Sequence, residues 1–298
     1  MDINFLVWLQ NLRTPFSDTF FSLITEMGDE VAIIALACAI YWCIDKRWGD
    51  RMLFTLFSGI MVNQFLKITC CVQRPWVRSE RVIPLNGATE SATGYSFPSG
   101  HTANAVSCYG GFAAEKRVKK WAWAPWVLVL LIGFSRLYLG VHTPQDVLVS
   151  LAIGIVLVIT VKKLSAVLEK NPRLDILYAL TGFVLSIALA LYATFKPYPA
   201  GDGMKYTNDA LKLAGAAAGL FLGWIAERRL IGFEIPKALW KKAVRLIGGL
   251  GLVLIIMKGL KAPLNSFLGE SLGNFVRYAL VGISATALWP LAFKKLRF

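Results

Sequence analysis

The sequence predicts an all-α fold, a polytopic membrane helical bundle of about nine transmembrane helices with an interfacial N-terminal helix. Three observations predict it. Of 298 residues, 56% are hydrophobic and 17% charged, against roughly 45–50% and about 25% in a soluble domain. The apolar excess gathers into runs of about 20 residues, the length that crosses a hydrocarbon core of roughly 30 Å. The basic residues behind the net charge of +14 sit mainly in short loops between those runs, where they signal topology and meet anionic lipid. With no nucleic-acid motif present, that placement disfavours nucleic acid as a partner.

The elements follow in chain order. Residues 1–11 lack the basic region and cleavage site of a signal peptide. They read as an amphipathic interfacial helix offering Phe5, Leu6, Trp8 and Leu9 to the membrane. Spans are expected at 31–44, 52–70, 99–115, 121–139, 144–162, 174–194, 208–226, 244–257 and 275–293, with 72–97 a polar stretch rich in turn formers. Residues 196–209 read as a loop long enough to cover a site. The chain divides into a core at 1–166 and additional C-terminal helices at 167–298. Cys38, Cys43, Cys70, Cys71 and Cys108 form no CxxC pair and read as free thiols. Gly215, Gly219 and Gly223 make a small-xxx-small ladder, which fits packing within the chain first and a homodimer face second.

Loop charge sets the orientation. One side collects 20 of the 32 basic residues, among them Lys116, Arg117, Lys119, Lys294, Lys295 and Arg297. The positive-inside rule places that side in the cytoplasm, so that 72–97 faces away from it.

The chain has two histidines, His101 and His142, both expected at span ends on the same side, where ionisable groups are functional candidates. In Pro98-Ser99-Gly100-His101, Pro98 stops a preceding helix, Ser99 caps the next one and Gly100 lets an anion approach the backbone. In Ser135-Arg136 followed by His142 and Asp146, Thr143 caps a helix and Pro144 fits its first position. Asp146 then serves as a capping-box acid, as a carboxylate that orients the His142 ring, or as both. Lys67 and Arg74 fall on the same side as both histidines. Each has an ordinary reading, the lysine snorkelling and the arginine touching headgroups. Three cations about one point, Lys67, Arg74 and Arg136, nevertheless call for an anion, and phosphoryl transfer needs such a cluster. Arg78, Arg81, Trp76 and Tyr95 read first as solvated or interfacial residues and second as the lining of the site's mouth.

Taken together, Lys67-(six residues)-Arg74-Pro75, Pro98-Ser99-Gly100-His101 and Ser135-Arg136-(five residues)-His142-(three residues)-Asp146 resemble the three-part signature of the type 2 phosphatidic-acid phosphatase superfamily, in order and in spacing. The resemblance covers about residues 52–162. The span count is closer to glucose-6-phosphatase and the sphingosine-phosphate phosphatases than to shorter bacterial members. The resemblance implies an integral membrane phosphatase acting on a lipid phosphate: phosphatidic acid, phosphatidylglycerol phosphate, an isoprenyl diphosphate or a sphingoid-base phosphate. It implies His142 as nucleophile, Asp146 as its orienting acid and His101 as general acid and base. Lys67, Arg74, Ser99, Gly100 and Arg136 would hold the phosphate. No cofactor or metal is implied, and no cluster of ligand residues in the sequence fits a metal. Two alternatives stay open: a lipid phosphotransferase using the same histidine, and an anion-binding transporter. The expected location is a plasma membrane, bacterial, with the site on the extracytoplasmic side.

Overall fold

Residues 2–90, 92–199 and 203–296 are described by a computed structural model, and they are helical, with no strand among them. Fourteen α-helices occur among those residues. The first six are α1 (Asp2–Asn11), α2 (Pro15–Glu26), α3 (Glu30–Cys43), α4 (Lys46–Cys70), α5 (Pro75–Arg78) and α6 (Gly100–Ala105). A π-helical turn at Val106–Gly110 leads into α7 (Gly111–Ala113), and a 3-10 turn at Lys116–Trp121 precedes α8 (Trp123–Tyr138). Then come α9 (Pro144–Lys170), α10 (Leu174–Phe195), α11 (Gly203–Ala226), α12 (Leu239–Gly259), α13 (Lys261–Ile283) and α14 (Trp289–Leu296), with π-helical turns at Glu227–Ile231 and Ser284–Leu288.

Five of these helical stretches are long and apolar enough to cross a membrane: Lys46–Arg78, Pro144–Lys170, Leu174–Phe195, Gly203–Ile231 and Lys261–Leu296. The expected count of nine is therefore not reached by that measure. Glu30–Cys43 and Trp123–Tyr138 are apolar but short, with 14 and 16 residues, and at 1.5 Å per residue they reach only about 21 and 24 Å. The expected helix at 99–115 runs through α6, its π-turn and α7, from Gly100 to Ala113. Helix α13 starts 14 residues before the expected 275, with a non-helical break at Gly269. The sequence reading omitted α2, although Thr14 accepts from Ser17 N and Pro15 opens the helix.

The chain forms two compact units. The first comprises Met1–Leu36 and Arg51–Lys162, the second Ala37–Asp50 and Lys163–Phe298. In the first unit Leu6 and Leu9 of α1 are buried with Val82, Leu137 and Val147. This corrects the expectation that α1 offers both leucines to lipid. Their i, i+3 spacing turns one face of the helix onto the protein, and Trp8 is left exposed. A second cluster, Ala105, Val106, Val129, Ile132 and Val158, joins α6, its π-turn, α8 and α9.

In the second unit the glycine ladder of α11 is filled from within the chain. A Cβ at Gly215 would strike the backbone of Phe275, one at Gly219 that of Ala279, and one at Gly223 the Thr286 side chain. The ladder thus lets α11 pack closely against the Lys261–Leu288 stretch. Of the expected loop at 196–209, residues 200–202 lie outside the described residues, and helix resumes at Gly203. The side chains of Lys116, Arg117 and Lys119, and all of Arg297, also lie outside them. Cys38, Cys43, Cys70, Cys71 and Cys108 are free thiols.

Candidate active site

The site lies in the first unit and is built by three chain segments. The first is the turn between α8 and α9. Helix α8 ends with Gly140 in the left-handed region, at φ 76°. Gly140 N–H bonds Leu137 O at 3.0 Å, and Val141 N–H bonds Arg136 O at 3.2 Å. This is a Schellman ending, which needs a left-handed residue at that point. It also explains the spacing between Arg136 and His142, because the His142 N–H bonds the same Arg136 carbonyl at 3.2 Å. Two residues later Thr143 and Pro144 start α9, and the Asp146 carboxylate turns back toward the turn.

Asp146 makes both of the contacts its position allowed. Its Oδ2 accepts from Thr143 N at 2.8 Å, closing the helix start, and meets His142 Nδ1 at 3.3 Å. It also accepts a 2.6 Å bond from Ser96 Oγ. An acceptor-only carboxylate at Nδ1 places the ring proton there. The lone pair is consequently on Nε2. Arg74 Nη1 lies 3.0 Å from it and donates to it. Burial first, and the Arg74 guanidinium second, hold the His142 pKa well below its usual range, against the opposing pull of Asp146. That shift favours the neutral imidazole.

The second segment is the polar stretch after α4. It folds back so that Ser96 N–H bonds Val72 O at 2.8 Å. Three consecutive carbonyls then hold two cations. Arg74 donates to Thr93 O at 2.7 Å and to Gly94 O at 2.9 Å, and Lys67 Nζ donates to Tyr95 O at 2.7 Å. Arg74 Nη1 also bonds Val141 O at 3.0 Å, which ties this stretch to the α8–α9 turn.

The third segment is the start of α6. Ser99 is fully buried and caps the helix. Its Oγ accepts from Thr102 N and Thr102 Oγ1, at 3.4 and 2.9 Å. Neither bond uses the serine proton, which is left to donate to an anion. A Cβ on Gly100 would meet no atom within 4 Å, so open space adjoins the helix N-terminus there. The Ser99 carbonyl accepts from Ser150 Oγ at 2.9 Å, and the Ser99 N–H bonds Asp146 O at 3.1 Å. These bonds fix α6 to α9.

Arg136 and His101 complete the cluster. Arg136 is fully buried. Its Nη1 donates to Thr25 Oγ1 at 2.7 Å, while Nε and Nη2 have no partner. His101 is half-buried and lies within electrostatic reach of Arg136, His142, Arg74 and Lys67. Its backbone packs on Gly28, where a Cβ would come within 3.3 Å of His101 Cβ and 2.7 Å of the Ile132 side chain.

All eight residues singled out in the sequence thus converge: His101, His142, Asp146, Lys67, Arg74, Ser99, Gly100 and Arg136. Sequence reasoning missed Thr25, Gly28 and Ser96, together with the carbonyls of residues 93–95. The residues suggested for the mouth divide. Tyr95 is buried, and Arg74 lies over the Trp76 ring at 5.7 Å. Arg78 is exposed, and Arg81 bonds Asn4 of α1. Among the described residues no group of three or more His, Cys, Asp or Glu side chains could hold a metal ion.

Apolar helices long enough to span a membrane, together with the buried cluster of cations and imidazole in the first unit, are the features of a membrane phosphatase. The comparisons agree. The PAP2 superfamily model matches residues 49–169, and the model for the transmembrane extension of PAP2 superfamily phosphatases matches 211–298. The lipid A 4'-phosphatase of Porphyromonas gingivalis is 36% identical over 161 residues, covering 51% of this chain and 68% of that protein. Phosphatidylglycerophosphatase B of Bacillus subtilis is 29% identical, over 51% of this chain and 76% of its own. A dihydrosphingosine 1-phosphate phosphatase of Saccharomyces cerevisiae is 24% identical, over 72% of this chain but only 55% of that protein. No solved structure matches the chain significantly. The chain belongs to the PAP2 superfamily.

Proposed function

We propose that the protein hydrolyses a membrane lipid phosphate, a monoester or an isoprenyl diphosphate, through a phosphohistidine at His142. One observation carries the proposal: a fully buried arginine, Arg136, with two guanidinium nitrogens unpartnered, in the cluster that holds the His142 imidazole, whose Nε2 lone pair accepts from Arg74. A buried cation left unpaired costs several kcal/mol, and a bound phosphoryl group removes that cost.

The geometry supports the following sequence. The phosphate enters at Gly100 and takes hydrogen bonds from Arg136, Lys67 and the Ser99 hydroxyl. Arg74 turns its Nη1 from His142 Nε2 to a phosphate oxygen, which frees the lone pair. Nε2 attacks phosphorus, the P–O bond to the lipid breaks, and His101 gives its proton to the leaving alkoxide. Asp146 keeps the Nδ1 proton in place and stabilises the charge on the ring. His101 next takes a proton from water, whose oxygen attacks phosphorus, and the P–N bond breaks to release phosphate and restore His142. The cations act on charge that spreads over the phosphoryl oxygens in each transition state. No step requires a metal.

The named relatives act on phosphatidylglycerophosphate, dihydrosphingosine 1-phosphate and the lipid A 4'-phosphate, whose shared chemistry is a phosphate on a lipid. The proposed substrate belongs to that class. The proposed location is a bacterial plasma membrane with the site on the extracytoplasmic side, following the loop charges. The test is phosphate release by the purified protein in nanodiscs containing EDTA, across phosphatidic acid, phosphatidylglycerol phosphate, a sphingoid-base phosphate and undecaprenyl diphosphate. Release from at least one is expected. Release from none of them, or its loss in EDTA, would overturn the reading.

A further inference from the structure

The α8–α9 turn that carries His142 is gripped by two arginines, and only Arg74 belongs to the candidate site. The last carbonyls of an α-helix have no donor within it, so each of those in α8 needs a partner from outside. Leu139 N–H takes Ser135 O at 2.8 Å, Gly140 N–H takes Leu137 O, and Val141 and His142 share Arg136 O. Tyr138 O is left over, and it accepts from Arg13 Nη2 at 2.9 Å. The turn itself presents two more carbonyls. Val141 O is held by Arg74, and Leu139 O by Leu85 N–H at 3.1 Å.

Arg13 sits in the link between α1 and α2, 125 residues from Tyr138. Its other terminal nitrogen, Nη1, donates to Ile83 O at 2.7 Å. The Ile83 N–H bonds Gln10 Oε1 at 2.8 Å, so both backbone groups of Ile83 are taken by N-terminal side chains. One guanidinium thus joins the polar stretch to the end of α8, beside the Leu85–Leu139 bond. A planar fork fixes two acceptors relative to each other, which a point charge on a flexible stem does not. The packing agrees. Leu6 and Leu9 of α1 are buried with Val82, Leu137 and Val147, the chain neighbours of Ile83, Tyr138 and Asp146. The guanidinium lies 5.9 Å from the centre of the Tyr138 ring, whose hydroxyl donates to Asp18 Oδ1 at 2.6 Å. Asp18 is within electrostatic reach of Arg13. What distinguishes this arginine is therefore the geometry of its fork, not an uncompensated charge.

We infer that Arg13 is a positioning residue for His142, acting through the α8 end and the turn that follows it. Its two hydrogen bonds go to carbonyls outside the phosphate-binding cluster, so it sets where the turn lies without touching a substrate. In-line attack on phosphorus tolerates little displacement: a misplacement of about 1 Å costs about 10²-fold in rate. The closed turn also keeps water from the ring, whose charged neighbours are Arg74, Lys67 and Asp146. The inference rests on the phosphohistidine reading and adds to it a residue that none of the three signature segments contains.

The test compares the full chain with Arg13→Met and Arg13→Lys in nanodiscs, on whichever lipid phosphate the unaltered chain turns over. Thermal unfolding and the dependence of kcat/KM on pH are measured for each. Arg13→Met should lower kcat/KM by about 10–100-fold. It should also move the acid limb of the profile upward, toward about 6.5, because a loosened turn admits water to a ring that burial holds below that value. Arg13→Lys keeps a cation at the end of α8 but not the fork, and should recover the unfolding midpoint more fully than the rate. Loss of folded protein alone would lower the rate and leave the acid limb in place, and that result in both variants would overturn the inference. So would an unchanged rate in both. If Arg13→Met does not fold, the lysine variant decides by the same two readings. Absence of phosphate release from the unaltered chain is a separate result, which removes the phosphatase reading and this inference with it.

Discussion

The two units treat buried charge in different ways. In the second, buried carboxylates meet cations: Glu227 with Lys46 at 2.6 Å, and Asp175 with Arg228 at 2.6 Å. In the first, Lys67, Arg74 and Arg136 gather about a single buried carboxylate, Asp146, whose contacts go to His142, Ser96 and Thr143. Two nitrogens of the Arg136 guanidinium have no partner. The Glu227 and Asp175 pairs are neutralised where they stand, because an uncompensated buried ion is costly, while the buried Arg277 of the same unit is held by Met257 O and Asn274 Oδ1 and keeps its Nε without a partner. A cluster left one-sided is organised for something that arrives later. Both units are helical and apolar, so the distinction lies in how their charges are completed.

The largest test of that contrast is a pair of substitutions. Arg136→Leu should lower kcat/KM for a lipid phosphate by about 10²–10³-fold without lowering the unfolding midpoint, since two nitrogens of the buried guanidinium make no hydrogen bond within the protein. Lys46→Met should do the reverse. It strands Glu227, which is fully buried, and should cost about 1–3 kcal/mol of stability while activity is kept. Rate measurements and thermal scans on both proteins would decide it, and matching responses would break the comparison.

The acid limb of the pH profile comes next. The His142 pKa is held below its usual value near 6.5. The neutral ring should therefore persist below that pH, and kcat/KM should fall only as pH drops through the lowered pKa. The stability contribution has the same direction: present above the unfolded value, lost as pH falls through the folded one. An acid limb at or above about 6.5 would contradict the burial of His142.

A smaller effect is expected at Thr25, a positioning residue that acts through Arg136. Thr25→Val should reduce kcat/KM by about tenfold, the value of one hydrogen bond to a charged group, and Thr25→Ser should recover most of it. Equal loss in both variants would point to packing instead. A comparable effect, read in thermal unfolding instead of rate, is expected at Gly140. Gly140→Ala places a side chain at φ 76° with the Arg13 guanidinium 3.2 Å away, and should cost about 1–2 kcal/mol.

What could be read in the sequence was whatever is recorded over short distances. The five residues between Arg136 and His142 contain the Gly140 turn that brings them together. Thr143, Pro144 and Asp146 form a helix start that doubles as the histidine's support. Thr25 was not legible, because its bond to Arg136 joins positions 111 residues apart. Ser96, 50 residues from Asp146, sits in a stretch where serine ordinarily marks a turn. Leu6 and Leu9 were misassigned because their periodicity defines a face without saying whether protein or lipid covers it. The expected number of spans failed on length at Glu30–Cys43 and Trp123–Tyr138, which are apolar enough but fall short of the bilayer core, and on charge at the 21-residue α12, which includes Lys241, Lys242, Arg245 and Lys258.

The central claim is that His142 takes the phosphoryl group, and rapid acid-free quenching with radiolabelled phosphatidic acid, or with whichever lipid phosphate proves to be turned over, tests it most directly. The account predicts a phosphoenzyme that is labile to acid and stable to base, maps to His142 and is absent from His142→Ala. Phosphate release that continues undiminished in His142→Ala, or a label that maps to another residue, would contradict it.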